Sequence, residues 1–97
     1  MSWLNEKTPD VAKAFSELRN EVYKEGALDV RTKELISVAA SVLMRCESCT
    51  EIHSERARKH GATSEQMAEA VACAMFVAAG SQLGWTKVYD RILGQKE

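Results

Sequence analysis

Proline occurs once in these 97 residues, at Pro9, and glycine only five times, so little in the chain interrupts a helix. Aromatics are scarce as well, and no segment alternates apolar and polar residues as a half-buried strand does. An excess of one charge is also missing. Thirteen Lys and Arg are scattered among fourteen acids, for a net charge of -1 with no block of like sign. That balance argues against a nucleic-acid partner, because phosphate binding needs a concentrated basic surface. Nor is there a long hydrophobic run. The longest, Ala70 to Ala79, is about half of the ~20 residues that a membrane-spanning helix needs. The stretch from Met1 to Lys7 holds no apolar core of signal-peptide length. The expectation is a cytoplasmic chain with no membrane partner. In that compartment thiols are kept reduced, so Cys46, Cys49 and Cys73 do not read as a structural disulfide framework.

What is present is a single domain's worth of amphipathic helix over residues 1–97, with 45% apolar and 28% charged residues. Thr8 reads as an N-cap with Pro9 at the first helical position, followed by Val11, Phe15, Leu18 and Val22 at helical spacing. Gly26 is the expected left-handed cap beyond them. Asp29 opens a second helix with two adjacent stripes, Leu35, Val38, Ala39 and Val42 beside Ile36, Ala40 and Leu43. No Gly or Pro lies between Asp29 and Gly61, so propensity alone permits one continuous helix there. The acids Glu47, Glu51 and Glu55 suit the positive end of a new helix, which favours a break near residues 45–47. Thr63 and Gln66 form a capping box for a helix carrying Met67, Val71 and Met75. From Ala70 to Ala79 every residue is apolar, and a helix apolar all round must be buried all round. A domain this small encloses such a helix poorly, so self-association is expected. Met67, Met75 and Cys73 read as core, and Leu83, Val88 and Ile92 suggest a last helix ending near Gly94. The fold class is all-α, an oligomeric bundle of about five helices.

The chemistry-bearing residues cluster at Cys46-Glu47-Ser48-Cys49 and His53. Helix positions i and i+3 share a face, so the two sulfurs can reach each other. A thiolate at a helix N-terminus is stabilised by the dipole and by free N–H groups, which makes a dithiol able to attack a peroxide or disulfide. His53 follows Cys49 by four residues, on the same face, and can take and return the thiol proton near neutral pH. Such a base needs a third group to hold its other ring nitrogen. Glu34 borders the apolar face of the preceding helix and is the candidate. Zinc is the competing reading, since Cys46, Cys49, His53 and His60 supply four donors. The seven-residue gap between the histidines and the crowding of all four on one stretch do not suit it. No metal or cofactor is therefore expected, and His60 next to Gly61 reads as a cation at a helix C-terminus.

From Leu28 to Gly80 the sequence resembles the carboxymuconolactone decarboxylase-like family, in particular its AhpD-like alkylhydroperoxidase branch. The match includes RTKELISVAASVLMRCESCTEIHSERARKHG and the apolar segment after it. That branch carries a Glu, then Cys-x-x-Cys, then His four residues on, positions that fall here on Glu34, Cys46, Cys49 and His53. The resemblance implies an all-helical fold assembled as homotrimers or homohexamers, and a peroxidase. Cys49 would react with a hydroperoxide, Cys46 would resolve the product to a Cys46–Cys49 disulfide, and His53 with Glu34 would relay the proton. It also implies a dithiol or lipoylated protein as reductant, which no residue here identifies. Where the branch carries a tyrosine just before the second cysteine, this chain has Ser48, whose shorter hydroxyl needs a water to complete a relay. Two other functions compete: a non-catalytic redox-sensing module, and the lactone decarboxylase of the family name, which does not require a dithiol.

Overall fold

The computed structural model describes residues 2–94, and those residues form six helices with no strand among them. These are α1 (Ser2–Lys7), α2 (Pro9–Tyr23), α3 (Val30–Leu43), α4 (Glu47–Lys59), α5 (Ser64–Leu83) and α6 (Thr86–Leu93). The helix beyond the expected five is α1. Thr8 does precede Pro9 at the start of α2, but its side chain does not cap that helix. Instead its hydroxyl and its amide both donate to the Leu4 carbonyl, at 2.9 and 3.0 Å, and so close α1.

Asp29 caps α3 as its sequence position indicates, accepting the Thr32 amide at 2.7 Å. Hydrogen bonds from Thr32, the side chain first and then the backbone, hold the Asp29 carboxyl below its ordinary range. A carboxyl that binds its proton less readily when folded stabilises the fold fully above its unfolded value, and that contribution is lost as pH falls through the lowered one. Asn caps a helix about as well but carries no charge. Asp29→Asn is therefore expected to flatten the fall in melting temperature on acidification below about pH 4, measured by circular dichroism.

The break between α3 and α4 is made without glycine. Arg45 takes the left-handed conformation, φ 57°, that a glycine would adopt more readily. The amide of Arg45 bonds to the Val42 carbonyl and that of Cys46 to the Ser41 carbonyl, the paired bonds of a Schellman turn. The same motif closes α4, where Gly61 has φ 91° and the Gly61 and Ala62 amides bond to Arg58 and Ala57. Two such turns fold α3, α4 and α5 back on one another, with α3 against both α4 and α5. Their small core holds Ala57, Ala62 and Met67 with Leu35 packed on it; Val38 and Ala74 are also buried. The Thr63–Gln66 capping box is complete in both directions, at 3.1 and 3.0 Å.

Outside that three-helix body little is covered. Gly26 is not left-handed, and α2 ends in extended backbone at Lys24. Its last carbonyls are tied instead by Lys33, whose ammonium donates to Val22 and Lys24 at 2.8 and 2.6 Å. The α2 stripe of Val11, Phe15, Leu18 and Val22 stays about half exposed. On α5, Met75 is 64% and Phe76 79% exposed, and Cys73 is an exposed free thiol. The expectation that Met75 and Cys73 are core residues is thus not met within one chain, whereas Met67 is buried. The reason lies in the extended arrangement: α5 continues unbroken through Gly80 to Leu83, and α6 leaves it at a bend of 49°. No single described helix is long and apolar enough to cross a membrane, although α5 and α6 together are, by length and composition.

Candidate active site

The turn at Arg45 sets α4 antiparallel to α3 and brings two side chains 19 residues apart into contact. Glu34 is 2% exposed, and its Oε2 lies 2.7 Å from Nδ1 of His53. A buried carboxylate is tolerable only with a donor, and the imidazole N–H supplies it. With Nδ1–H donated to Glu34, the neutral ring keeps its lone pair on Nε2, free to act as a base.

Cys46 and Cys49 are joined by a disulfide, with their Cα atoms 5.3 Å apart. Cys46 is fixed from several sides. Its amide bonds to the Ser41 carbonyl at 3.0 Å, and its own carbonyl accepts the Thr50 hydroxyl at 2.8 Å. Its sulfur is the N-cap of α4, accepting the Cys49 amide at 3.2 Å. The pair therefore sits at the positive end of a helix, where a thiolate gains from the dipole. Ser48 is exposed, its Oγ 3.7 Å from the Cys46 sulfur.

The two sulfurs open on different sides. Cys49 lines a cavity of about 570 Å³ together with Ser48, His53 and Ile52 of α4 and the apolar face of α2. Cys46 instead lines a more open cavity of about 390 Å³ with Arg45, Glu47 and Glu51. His60 lies elsewhere, in a cleft shared with Glu34 and Arg56, and has no bond to Glu34. Among the described residues no group of three or more His, Cys, Asp and Glu is placed to hold a metal.

Sequence reasoning missed Tyr23. Its ring stacks on His53, with centroids 5.7 Å apart and planes 30° apart. Its hydroxyl is hydrogen-bonded to Ser37, whose own proton goes to the Lys33 carbonyl at 2.9 Å, so Tyr23 is the donor. The imidazole is thereby held by Glu34 on its edge and by Tyr23 on its face. The one available signal was that Tyr23 follows Val22 at the edge of the α2 stripe. Nothing in local spacing links residue 23 to residue 53.

The profile of the Carboxymuconolactone decarboxylase family matches residues 9–86. A protein of the cox locus of Paracoccus denitrificans is 46% identical over 68 residues, which are 70% of this chain and 61% of that protein. The chain thus spans about three-fifths of the length of that curated relative. A solved structure from Methanobacterium thermoautotrophicum superposes with a TM-score of 0.80 at 43% identity, covering 86% of this chain and 93% of that one. A second, from Thermotoga maritima, is described as a family protein with a suggested part in an antioxidative response; it has a TM-score of 0.64 at 41% identity and covers 68% of each chain. Profile, relatives and helical arrangement agree: this chain belongs to the carboxymuconolactone decarboxylase family.

Proposed function

We propose that the protein is a cytoplasmic, thiol-dependent peroxidase that cycles between the Cys46–Cys49 dithiol and its disulfide. The observation that carries this reading is the buried Glu34–His53 pair, with His53 sharing the cavity onto which Cys49 opens. In the reduced protein Nε2 of His53 accepts the Cys49 proton. The thiolate then attacks the distal oxygen of a hydroperoxide, the O–O bond breaks, and the alkoxide leaves as the alcohol with a proton returned through His53. Cys49 is left as a sulfenic acid. The Cys46 thiol attacks that sulfur, expelling water and forming the disulfide. A dithiol reductant, small or protein-borne, then takes the disulfide back to two thiols and is itself oxidised to a disulfide. Glu34 steadies the imidazolium formed midway, and Tyr23 keeps the ring in plane.

The test is a thiol count. Excess organic hydroperoxide at neutral pH is expected to lower the free thiols from three to one, leaving Cys73, with the mass of the chain falling by two hydrogens. Two thiols that stay titratable would overturn the reading. Oxidation that occurs once but never turns over with any dithiol reductant, accompanied by a change in sedimentation, would make the chain a redox sensor instead.

Self-association belongs to the same proposal. The radius of gyration is 18.5 Å, against about 12–13 Å for a compact chain of this length. The apolar faces of α5 and α6 lie uncovered in one copy. Covering them with further copies in a closed ring, as a homotrimer or homohexamer, satisfies the apolar stretch that one chain cannot bury. Sedimentation equilibrium at micromolar concentration is expected to return such a mass, and a monomer would overturn this part.

A further inference from the structure

We propose that the cavity beside Cys49 is built for an organic hydroperoxide with an apolar chain and an acidic end, the acid being held by Arg19 and Arg56. This inference rests on the peroxidase reading and adds what the site selects. The cavity of about 570 Å³ is within the range of small-molecule sites. Its walls are Phe15, Leu18 and Val22 from α2 and Ile52 from α4, with Cys49 and His53 among the lining. Hydrogen peroxide gains nothing from such walls, whereas an alkyl chain does.

The charge is arranged to one side. Arg19 of α2 and Arg56 of α4 line this cavity and also an adjoining cleft of about 320 Å³, so they stand where the two meet, next to Tyr23. Neither guanidinium has an ionic or hydrogen-bonding partner among the described residues. The one carboxylate in that cleft, Glu34, is committed to His53. Two unpaired guanidiniums at the edge of an apolar cavity complement a carboxylate carried on an apolar tail. A chain lying along the α2 wall with its acid between Arg19 and Arg56 leaves the peroxide end to Cys49.

The test compares three oxidants on the reduced full chain: hydrogen peroxide, a neutral alkyl hydroperoxide, and a hydroperoxide of the same chain length ending in a carboxylate. The expected kcat/KM rises roughly three- to fourfold per methylene added to the chain. The carboxylate is expected to add about tenfold over its neutral analogue, an advantage that shrinks toward unity at about 0.5 M salt. Arg19→Gln with Arg56→Gln should bring the ratio of kcat/KM for the acid to that for its neutral analogue down to about one, and lysine at both positions should restore part of it. The wild-type series stands even if the glutamine variant does not fold. Equal kcat/KM for the acid and its neutral analogue overturns the proposal, as does the absence of chain-length dependence, which is what a second copy filling the cavity would produce. Both results leave the peroxidase reading standing. If none of the three oxidises the dithiol, that reading falls and this inference with it.

Discussion

Replacing Cys49 by serine is expected to abolish peroxide turnover, and replacing Cys46 by serine to leave a protein that consumes one peroxide and stops. Without a thiol at position 49 there is no nucleophile in the cavity shared with His53, and the loss is to background, more than about 10³-fold by comparison with other nucleophile deletions. Neither change is expected to unfold α4. In Cys49→Ser the sulfur of Cys46 remains to accept the backbone amide of residue 49, as it does in the native chain. In Cys46→Ser the cap becomes a hydroxyl, one of the strongest N-caps known. Mass spectrometry after a dimedone trap is expected to find the sulfenic acid on Cys49 in the Cys46→Ser protein and none in the Cys49→Ser protein. A trapped sulfenic acid on Cys46 in the latter, with turnover retained, would reverse the roles of the two sulfurs.

The second large effect concerns Glu34. Glu34→Gln keeps the shape and can still accept the Nδ1 proton of His53, but it no longer balances the charge of an imidazolium. The expected loss in kcat/KM is about 10²- to 10³-fold with helical content unchanged, because proton transfer through a positioned base is worth that much. The reciprocal change behaves differently. His53→Ala leaves a carboxylate that is 2% exposed with no partner, at a cost to folding of about 3 kcal/mol. The double variant Glu34→Gln with His53→Ala removes the stranded charge and should recover much of that stability without recovering activity. Urea denaturation of the four proteins measures the coupling. Additive losses would mean that the 2.7 Å contact does not act as a unit.

The starts of α3 and α5 were legible because their signals are local, whereas the Thr8 hydroxyl turned back to Leu4 instead of capping α2. Asp29 and the Thr63–Gln66 pair act through bonds to residues three positions away, and the sequence displays both partners. Cys49 and His53 were legible for the same reason, lying one helical turn apart on α4. What was hidden depends on contacts across elements. Gly26 was expected in the left-handed region, but Lys33 of the next helix ties the carbonyls that such a cap would serve. Arg45 takes that conformation instead, where no glycine marked it. Tyr23 escaped notice because its partners, Ser37 and His53, stand on two other helices. Cys73 and Met75 read as interior because an apolar run marks a face as apolar without showing that the chain's own helices cover it.

The attachment of α2 has a consequence for how the site fails under stress. That helix is tied to α3 and α4 near its C-terminal end, through Tyr23 with Ser37 and His53 and through the Lys33 ammonium, and the rest of its apolar stripe is about half exposed. Glu34, His53 and both sulfurs sit on the α3–α4 hairpin. Regions with few buried contacts open at lower free energy than the body they join, in cooperative units of their own. The wall formed by Phe15, Leu18 and Val22 therefore belongs to a different unfolding unit from the reacting atoms. On mild warming a lone chain would lose its discrimination among oxidants before it loses its dithiol chemistry.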